Sequence, residues 1–316
     1  MKQVQSIIND EFSINLTLLN LCNYRCTYCA PHLNGGSTPR VPAEQYIQFF
    51  NGLLEDNPQI HNYARKRVTF TGGEPSIYRD FVEVAKFFKE KGFSIVTVSN
   101  GSAKIPFWEN ALNYIDTLVI SYHSRYAETD HIKEVVKLVQ SKCQNRPVVH
   151  ALMDPNFWDK AIQASKDFSE MGATVNFKGI LARGDGVNDE EHGRYTKDYS
   201  QEQLEFLRAN HTLNEGGAKT IVNYDDGTSE PMNAQRLISG DLNYFTGYQC
   251  NAGTNSLVIK YDGSVYGSAC MAKRAYFGNL VQVPDLKIKL LENGITCTRL
   301  KPCSCVYDLR IPKQKP

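Results

Sequence analysis

Three cysteines fall within eight residues near the start of this chain: Cys22, Cys26 and Cys29, in the stretch Leu-Cys-Asn-Tyr-Arg-Cys-Thr-Tyr-Cys-Ala over 21–30. The spacing C-x3-C-x2-C lets three thiolates hold three irons of a [4Fe–4S] cube, and thiolate is the ligand such clusters take. No fourth cysteine lies nearby, so one iron keeps a position free of protein, as catalytic metal sites do. A zinc knot is the competing reading of clustered cysteines. Structural zinc wants four ligands, usually from Cys-x2–4-Cys pairs, and the fourth would have to come from elsewhere, for example His32.

The cysteine count supports metal chemistry over disulfides. The chain has nine cysteines in 316 residues, no signal peptide and no apolar run long enough to span a bilayer. Those features predict a cytoplasmic protein in a reducing compartment, where grouped cysteines serve as metal ligands. Eight of the nine fall in two groups, one at each end. Cys143 stands alone and reads as a small apolar residue near a helix end. Basic and acidic residues number 35 and 34, evenly mixed. Such a balance offers no basic stripe for phosphate contacts and argues against a duplex nucleic-acid binder.

Along the chain, 13–19 reads as a buried first strand, with the cysteine loop at its C-terminal mouth. A Gly- and Pro-punctuated loop follows (31–39), then a helix (43–54) and a second strand (67–71). That strand ends directly in Gly72-Gly73-Glu74-Pro75, where two residues without Cβ allow close backbone approach and proline stiffens the exit. Helix 81–90, strand 94–99, strand 117–121, helix 131–142 and strand 148–153 come next. Asp154 then caps a helix running to about 171, and 175–181 makes the sixth strand. Strand and helix thus alternate six times, the pattern of parallel βαβ units. Residues 182–200 form a polar link or lid, and 201–210 a short helix. Beyond it the chain shifts to hairpins, with Asp-Gly turns at 226–227 and 262–263. A boundary near 212 divides the chain into 1–211 and 212–316.

The cysteine triad, the aromatic Tyr28 before its third member, and Gly-Gly-Glu-Pro after the second strand together resemble the signature of the radical S-adenosylmethionine (radical SAM) family. The resemblance implies an α/β fold, a partial (β/α)6 TIM-like barrel, with sites at the C-terminal strand ends. It implies that Cys22, Cys26 and Cys29 hold a 4Fe–4S cluster whose open iron is chelated by S-adenosylmethionine. Reductive cleavage of that cofactor gives a 5′-deoxyadenosyl radical that takes a hydrogen atom from substrate. Tyr28, Gly72, Gly73, Glu74 and Pro75 are implied to bind the cofactor, Glu74 accepting from its ammonium. Ser99, Asn100 and Ser121 stand at strand ends where polar groups reach it. The bland alternative for Ser99-Asn100-Gly101 is a plain turn. His123 is a weak catalytic candidate, since a lone histidine is more often a hydrogen-bonded scaffold residue.

The later cysteines bracket a hairpin: Cys250 and Cys270 around Asp262-Gly263, then Cys297, Cys303 and Cys305. This arrangement resembles the SPASM or twitch extension, a smaller C-terminal α+β domain that holds auxiliary iron–sulfur clusters. It departs from the full pattern at Ser268, where a cysteine is expected, and in the shortened run Cys297-x5-Cys303-x-Cys305. Five cysteines cannot fill two four-ligand clusters. The expectation is one auxiliary 4Fe–4S cluster on Cys250, Cys270, Cys303 and Cys305. Cys297 is the spare: an alternative ligand, or a thiol able to return a hydrogen atom. Zinc remains an alternative at these four cysteines.

The function expected is hydrogen-atom abstraction from a small molecule, leading to oxidation, epimerisation or rearrangement, with an electron donor such as flavodoxin or ferredoxin. Only about a dozen residues precede the first expected strand, too few for a leader-binding module. A peptide maturase served by a separate leader-binding partner is the first alternative. A non-catalytic iron–sulfur or zinc protein is the second.

Overall fold

A computed structural model describes residues 2–29, 33–36, 41–180, 195–210, 220–232, 234–303 and 305–316. Two compact units alternate along the chain. One is built from Met1–Leu16, Val41–Val68 and Leu213–Pro316, the other from Thr17–Arg40 and Thr69–Thr212.

The chain opens with β1 (Val4–Ile8) and β2 (Glu11–Thr17), then α1 (Ala43–Asp56) and β3 (Arg65–Thr71). Helix and strand next alternate: α2 (Phe81–Glu90), β4 (Ser94–Ser99), α3 (Ile105–Ala111), β5 (Thr117–His123), α4 (Thr129–Lys142), β6 (Val148–Met153), α5 (Trp158–Glu170) and β7 (Thr174–Gly179). After α6 (Gln201–Ala209) come β8 (Thr220–Tyr224), β9 (Ser229–Met232) and α7 (Ala234–Ser239). The last stretch holds β10 (Gln249–Cys250), β11 (Ser256–Ile259), β12 (Ser264–Tyr266), β13 (Tyr276–Asn279), β14 (Ile295–Thr296), α8 (Val306–Leu309) and β15 (Lys313–Gln314).

In the unit containing 69–212, β4, β5, β6 and β7 lie side by side in chain order, all parallel. The mixed α/β class with a parallel sheet is as expected. Its helices are amphipathic: α2 buries Val84, Ala85, Phe87 and Phe88, and α4 buries Ile132, Val135, Val136 and Val139. Phe70 meets Phe81 and Phe88 at ring-centroid distances of 5.2 and 5.9 Å, and Phe88 meets Phe93 at 5.3 Å. Burying each such ring contributes roughly 1.5–3 kcal/mol, enough to fix the strand ends that carry the site.

In the other unit a six-stranded sheet runs in the order β14-β10-β15-β1-β8-β9. Strand β1 is a departure from the sequence expectation, which began the strands at residue 13. A register irregularity between Val4 and Ser6 breaks its alternation, so no period-2 pattern is legible there. Val4, Ile7, Val222, Leu237, Phe245 and Leu309 form the apolar core beside it. The hairpin β11–β12 turns at Asp262-Gly263 as expected, and β11 pairs with β2 in parallel. Asn57 fastens the end of α1: its Nδ2 donates to Leu53 O and Ile288 O, and its Oδ1 accepts from Leu290 N.

Two boundaries moved for local reasons. Leu18 and Leu19 are buried and read as strand, yet the strand stops at Thr17, and the chain bends at Asn20 into the cysteine loop. Asp154 caps a single 3-10 turn, Pro155–Phe157, by accepting from Asn156 N at 3.0 Å, and α5 starts only at Trp158. His32 and most of the 182–200 link lie outside the described residues. Among the described residues no helix is long and apolar enough to cross a membrane.

Candidate active site

The Gly72-Gly73-Glu74 segment lies against the start of the cysteine loop. Gly73 N donates to Leu19 O at 2.9 Å and Glu74 N to Leu21 O at 2.8 Å. A Cβ on Gly73 would sit 2.1 Å from Leu21 O, and one on Gly72, whose φ is +135°, 2.5 Å from Leu19 O. Only glycine permits this approach. The two motifs are therefore joined by backbone hydrogen bonds.

Glu74 is enclosed, 1% exposed. Its Oε1 accepts from Ser76 N (3.0 Å), Ser76 Oγ (2.7 Å) and Ser99 Oγ (2.7 Å), and its Oε2 from Asn100 N (2.7 Å). Burial pushes its carboxyl above the ordinary carboxylate range, and the four donors oppose that shift. Ser99 thus serves Glu74, while also accepting from Gly101 N at 3.0 Å. Pro75, buried, opens the 3-10 turn Pro75–Ile77.

Asn100 faces the cysteines. Its Nδ2 donates to Asn23 Oδ1 at 2.9 Å and reaches Cys22 Sγ at 3.8 Å. Its Oδ1 accepts from Ser102 N, and Asn23 Nδ2 closes the network on Ser102 Oγ at 2.8 Å. Tyr24 N also donates to Cys22 Sγ, at 3.4 Å. Cys29 N bonds Cys26 O, bending the loop so that the three sulfurs feel one another's charge. Desolvation raises the Cys22 thiol, and raises that of Cys26 to about 11.

His123 stands at the end of β5 with its ring against the loop. Its Nδ1 lies 2.9 Å from Tyr28 Oη and 3.4 Å from Cys26 Sγ. Tyr28 stacks on it, ring centroids 5.9 Å apart and planes 8° apart, and Tyr24 meets it edge-on at 5.7 Å. Desolvation lowers the imidazole to about 4, so the ring is neutral at neutral pH.

The parallel register aligns Ser121 and His123 with polar residues of β6 and β7 that the sequence reading did not single out. Ser121 on β5 pairs with His150 on β6, and His150 with Asn176 on β7. The next row up is His123, Leu152 and Lys178. Residues alternate faces along a strand, and Val149, Ala151 and Met153 of β6 are buried. Ala151 and Met153 pack with Ala161 of α5. Ser121, His150 and Asn176 therefore share the face away from those helices. A histidine and a lysine interrupting otherwise apolar strands were the available signal. Above them Arg125 pairs with the buried Asp154 at 3.6 Å.

In the other unit, Cys250 ends β10, Cys270 follows β12, and Cys303 and Cys305 precede α8. These four influence one another electrostatically: Cys250 with Cys270 and Cys303, Cys305 with Cys303 and Cys270. Burial pushes Cys303 to about 12 and Cys305 to about 11. Asp308, 3% exposed, accepts from Ala269 N (2.8 Å) and Cys270 N (2.9 Å), pinning the Cys270 turn. Ser268, where the fuller pattern has cysteine, puts its hydroxyl 3.0 Å from Cys270 Sγ. The Lys313 ammonium is buried nearby and donates to Asp308 O and Ile311 O. Cys297 packs against the same apolar core as Cys303. Cys143 caps α4, with its sulfur 3.6 Å from Ile115 O.

Among the described residues no three His, Cys, Asp or Glu side chains converge on a single ion. A cube spreads its thiolates over separate irons, so the comparison is with a cluster. Three coupled thiols beside a glycine segment that admits no Cβ suit a cluster with one open corner and a small ligand next to it.

A family model described as "Radical SAM superfamily" matches residues 16–197. A "Probable GTP 3′,8-cyclase" of Saccharolobus islandicus (strain M.14.25 / Kamchatka #1) is 27% identical over 118 residues, 37% of this chain and 36% of that protein. An "S-adenosylmethionine-dependent nucleotide dehydratase" of Selenomonas ruminantium is 28% identical over 91 residues, 29% of this chain and 30% of the relative. The chain thus matches about a third of the length of these curated relatives, 36% and 30%. Among solved structures, Streptococcus suis SuiB bound to S-adenosylmethionine aligns with a TM-score of 0.56 at 15% identity, covering 87% of this chain and 65% of that one. Native anSMEcpe with bound AdoMet aligns at 0.50 and 14% identity, covering 87% and 79%. These two likenesses show a shared fold.

Proposed function

The chain belongs to the radical SAM superfamily, and from that premise we propose that it abstracts a hydrogen atom from a small-molecule substrate, ending in oxidation, epimerisation or rearrangement. The family uses a 4Fe–4S cluster and S-adenosylmethionine, which together supply a 5′-deoxyadenosyl radical when bound. Cys22, Cys26 and Cys29 would hold the cluster. Gly72, Gly73 and Glu74 would take the methionine amino group, the Glu74 carboxylate keeping the segment in place through Ser76, Ser99 and Asn100. Pro75 stiffens that segment, and Asn100, Tyr28 and Ser121 complete the cofactor side. The observation that carries this reading is the pair of bonds from Gly73 N and Glu74 N to Leu19 and Leu21, which joins the glycine segment to the cysteine loop.

The proposed modules are a partial (β/α)6 barrel over 1–211 and a twitch-like part over 212–316. In the latter, Cys250, Cys270, Cys303 and Cys305 hold one auxiliary 4Fe–4S cluster. A low-potential donor such as flavodoxin or ferredoxin supplies electrons. The small-molecule reading draws support from the relatives named for GTP cyclisation and nucleotide dehydration. His150, Asn176 and Lys178 share with Ser121 the sheet face that such a substrate would approach.

The test is 5′-deoxyadenosine release by anaerobically reconstituted, dithionite-reduced protein given S-adenosylmethionine. Wild type releases it and Cys26→Ala does not. A silent wild type with a loaded, reducible cluster would return the protein to the electron-carrier reading.

A further inference from the structure

Tyr28 Oη, His123 Nδ1 and Cys26 Sγ form a close set of polar groups whose mutual contacts the proposed cofactor binding does not explain. All three lie in the same unit. Nδ1 is within hydrogen-bond distance of the other two, at 2.9 Å from Tyr28 Oη and 3.4 Å from Cys26 Sγ, and the Tyr28 hydroxyl is close enough to the Cys26 thiol to oppose its upward shift. Cys26 is the most enclosed of its triad, 6% exposed. The near-parallel stack of Tyr28 on His123 and the edge contact from Tyr24 hold the imidazole in one plane. Cys22 receives the Tyr24 N–H and approaches the Asn100 amide. Cys26 is the sulfur met by two polar side-chain groups from an aromatic wall.

We infer that Tyr28 and His123 act as positioning residues that tune the cluster's reduction potential by donating hydrogen bonds to the Cys26 sulfur, with no direct part in touching substrate. The inference rests on the reading that Cys26 is an iron ligand. A neutral imidazole carries one N–H, and next to an iron-bound thiolate the favoured tautomer places it on Nδ1. That N–H then points into the space between Cys26 Sγ and Tyr28 Oη, leaving the tyrosine O–H to donate to the same sulfur. Hydrogen bonds to cluster sulfurs are among the factors that set cluster potentials. Donors withdraw charge from the thiolate and favour the reduced state, so each one removed moves the midpoint to a more negative value. Tyr28 thereby acts through its hydroxyl, in addition to whatever its ring face meets.

The experiment is a redox titration of the reduced-cluster EPR signal in anaerobically reconstituted protein without S-adenosylmethionine. Iron and sulfide are assayed first. Tyr28→Phe keeps the ring and removes one hydroxyl. His123→Leu removes the N–H, and His123→Asn returns an amide N–H near the Nδ1 position. The midpoint is expected to fall in Tyr28→Phe and in His123→Leu. Their combination should reach about a tenfold change in the one-electron equilibrium, about 59 mV, and His123→Asn should recover most of its share. An unchanged midpoint in Tyr28→Phe at full iron content overturns the inference, whether or not the His123 variants load. A wild type that takes up no cluster, or one that Cys26→Ala loads equally well, overturns instead the ligand reading beneath it.

Discussion

The backbone N–H of Asn100 donates to Glu74 Oε2 at 2.7 Å, so the residue that follows β4 is fastened to the carboxylate that follows the two glycines. Asn100 in turn carries its amide to Asn23 and toward Cys22. The relationship makes Glu74 the joint between the glycine segment and the cysteine loop.

Glu74→Gln preserves shape but aims an NH2 group at one of these donors. A buried donor left without an acceptor costs about 1–3 kcal/mol. The variant should lose about that much in urea unfolding. Its S-adenosylmethionine affinity should fall at least about tenfold by equilibrium dialysis, the equivalent of about 1.4 kcal/mol. Unaltered binding would remove Glu74 from the site.

Gly73→Ala forces a methyl group to within 2.1 Å of Leu21 O, so the Gly73 and Glu74 bonds to Leu19 and Leu21 must break. Reconstituted protein should then bind no S-adenosylmethionine. Gly52→Ala is the matched control. It lies inside α1 with open space around its Cβ position, and the change should stabilise by about 0.5–1 kcal/mol with binding intact.

Iron counting separates the later cysteines. Anaerobically purified wild type should carry about eight irons per chain. Alanine at Cys250, Cys270, Cys303 or Cys305 should lower that to about four, whereas Cys297→Ala should leave it unchanged. A count near four in wild type, with zinc present, would move these cysteines to the zinc reading.

Cluster loading should depend on pH in a fixed direction. Desolvation holds the thiols of Cys26 and Cys305 at about 11 and that of Cys303 at about 12. These thiols are therefore protonated at neutral pH in the metal-free protein, and metal must displace their protons. Below those values, raising the pH increases the thiolate fraction, so cobalt(II) affinity of the apo protein should climb steadily from pH 6 to about 9. The charge-transfer absorption of cobalt thiolate reports it. A flat profile would mean the thiols ionise more easily than their burial implies.

How legible the molecule was depended on whether chemistry fixes residue identity at short range. Cys22, Cys26 and Cys29 were readable because three thiols at that spacing have few uses. Gly72 and Gly73 were readable because an adjacent glycine pair at a strand end implies close approach. What they approach, the carbonyls of Leu19 and Leu21, was not, since that partner lies some fifty residues earlier in the chain. Glu74 reads in sequence as a carboxylate offered to a ligand, yet four donors surround it, and no local spacing announces them. His123 looked like a lone histidine because its neighbours, Cys26 and Tyr28, come from nearly a hundred residues away. Strand β1 was missed for a different reason: its irregular register erases the alternation on which strand recognition depends.

The central place of β1 in the six-stranded sheet has a consequence for synthesis. Residues 6 and 7 pair with 314 and 313, and residues 6 to 8 also with 223 to 221. Synthesis therefore passes through the whole of 17–212 before β1 meets its first partner in that sheet, β8, and its other edge waits for residues 313 and 314. The cysteine loop at 22–29 needs no such wait, because every neighbour described for it has already emerged. Iron insertion at the first site can precede synthesis of residues 213–316, whereas the four later cysteines come together only once Cys305 has been made.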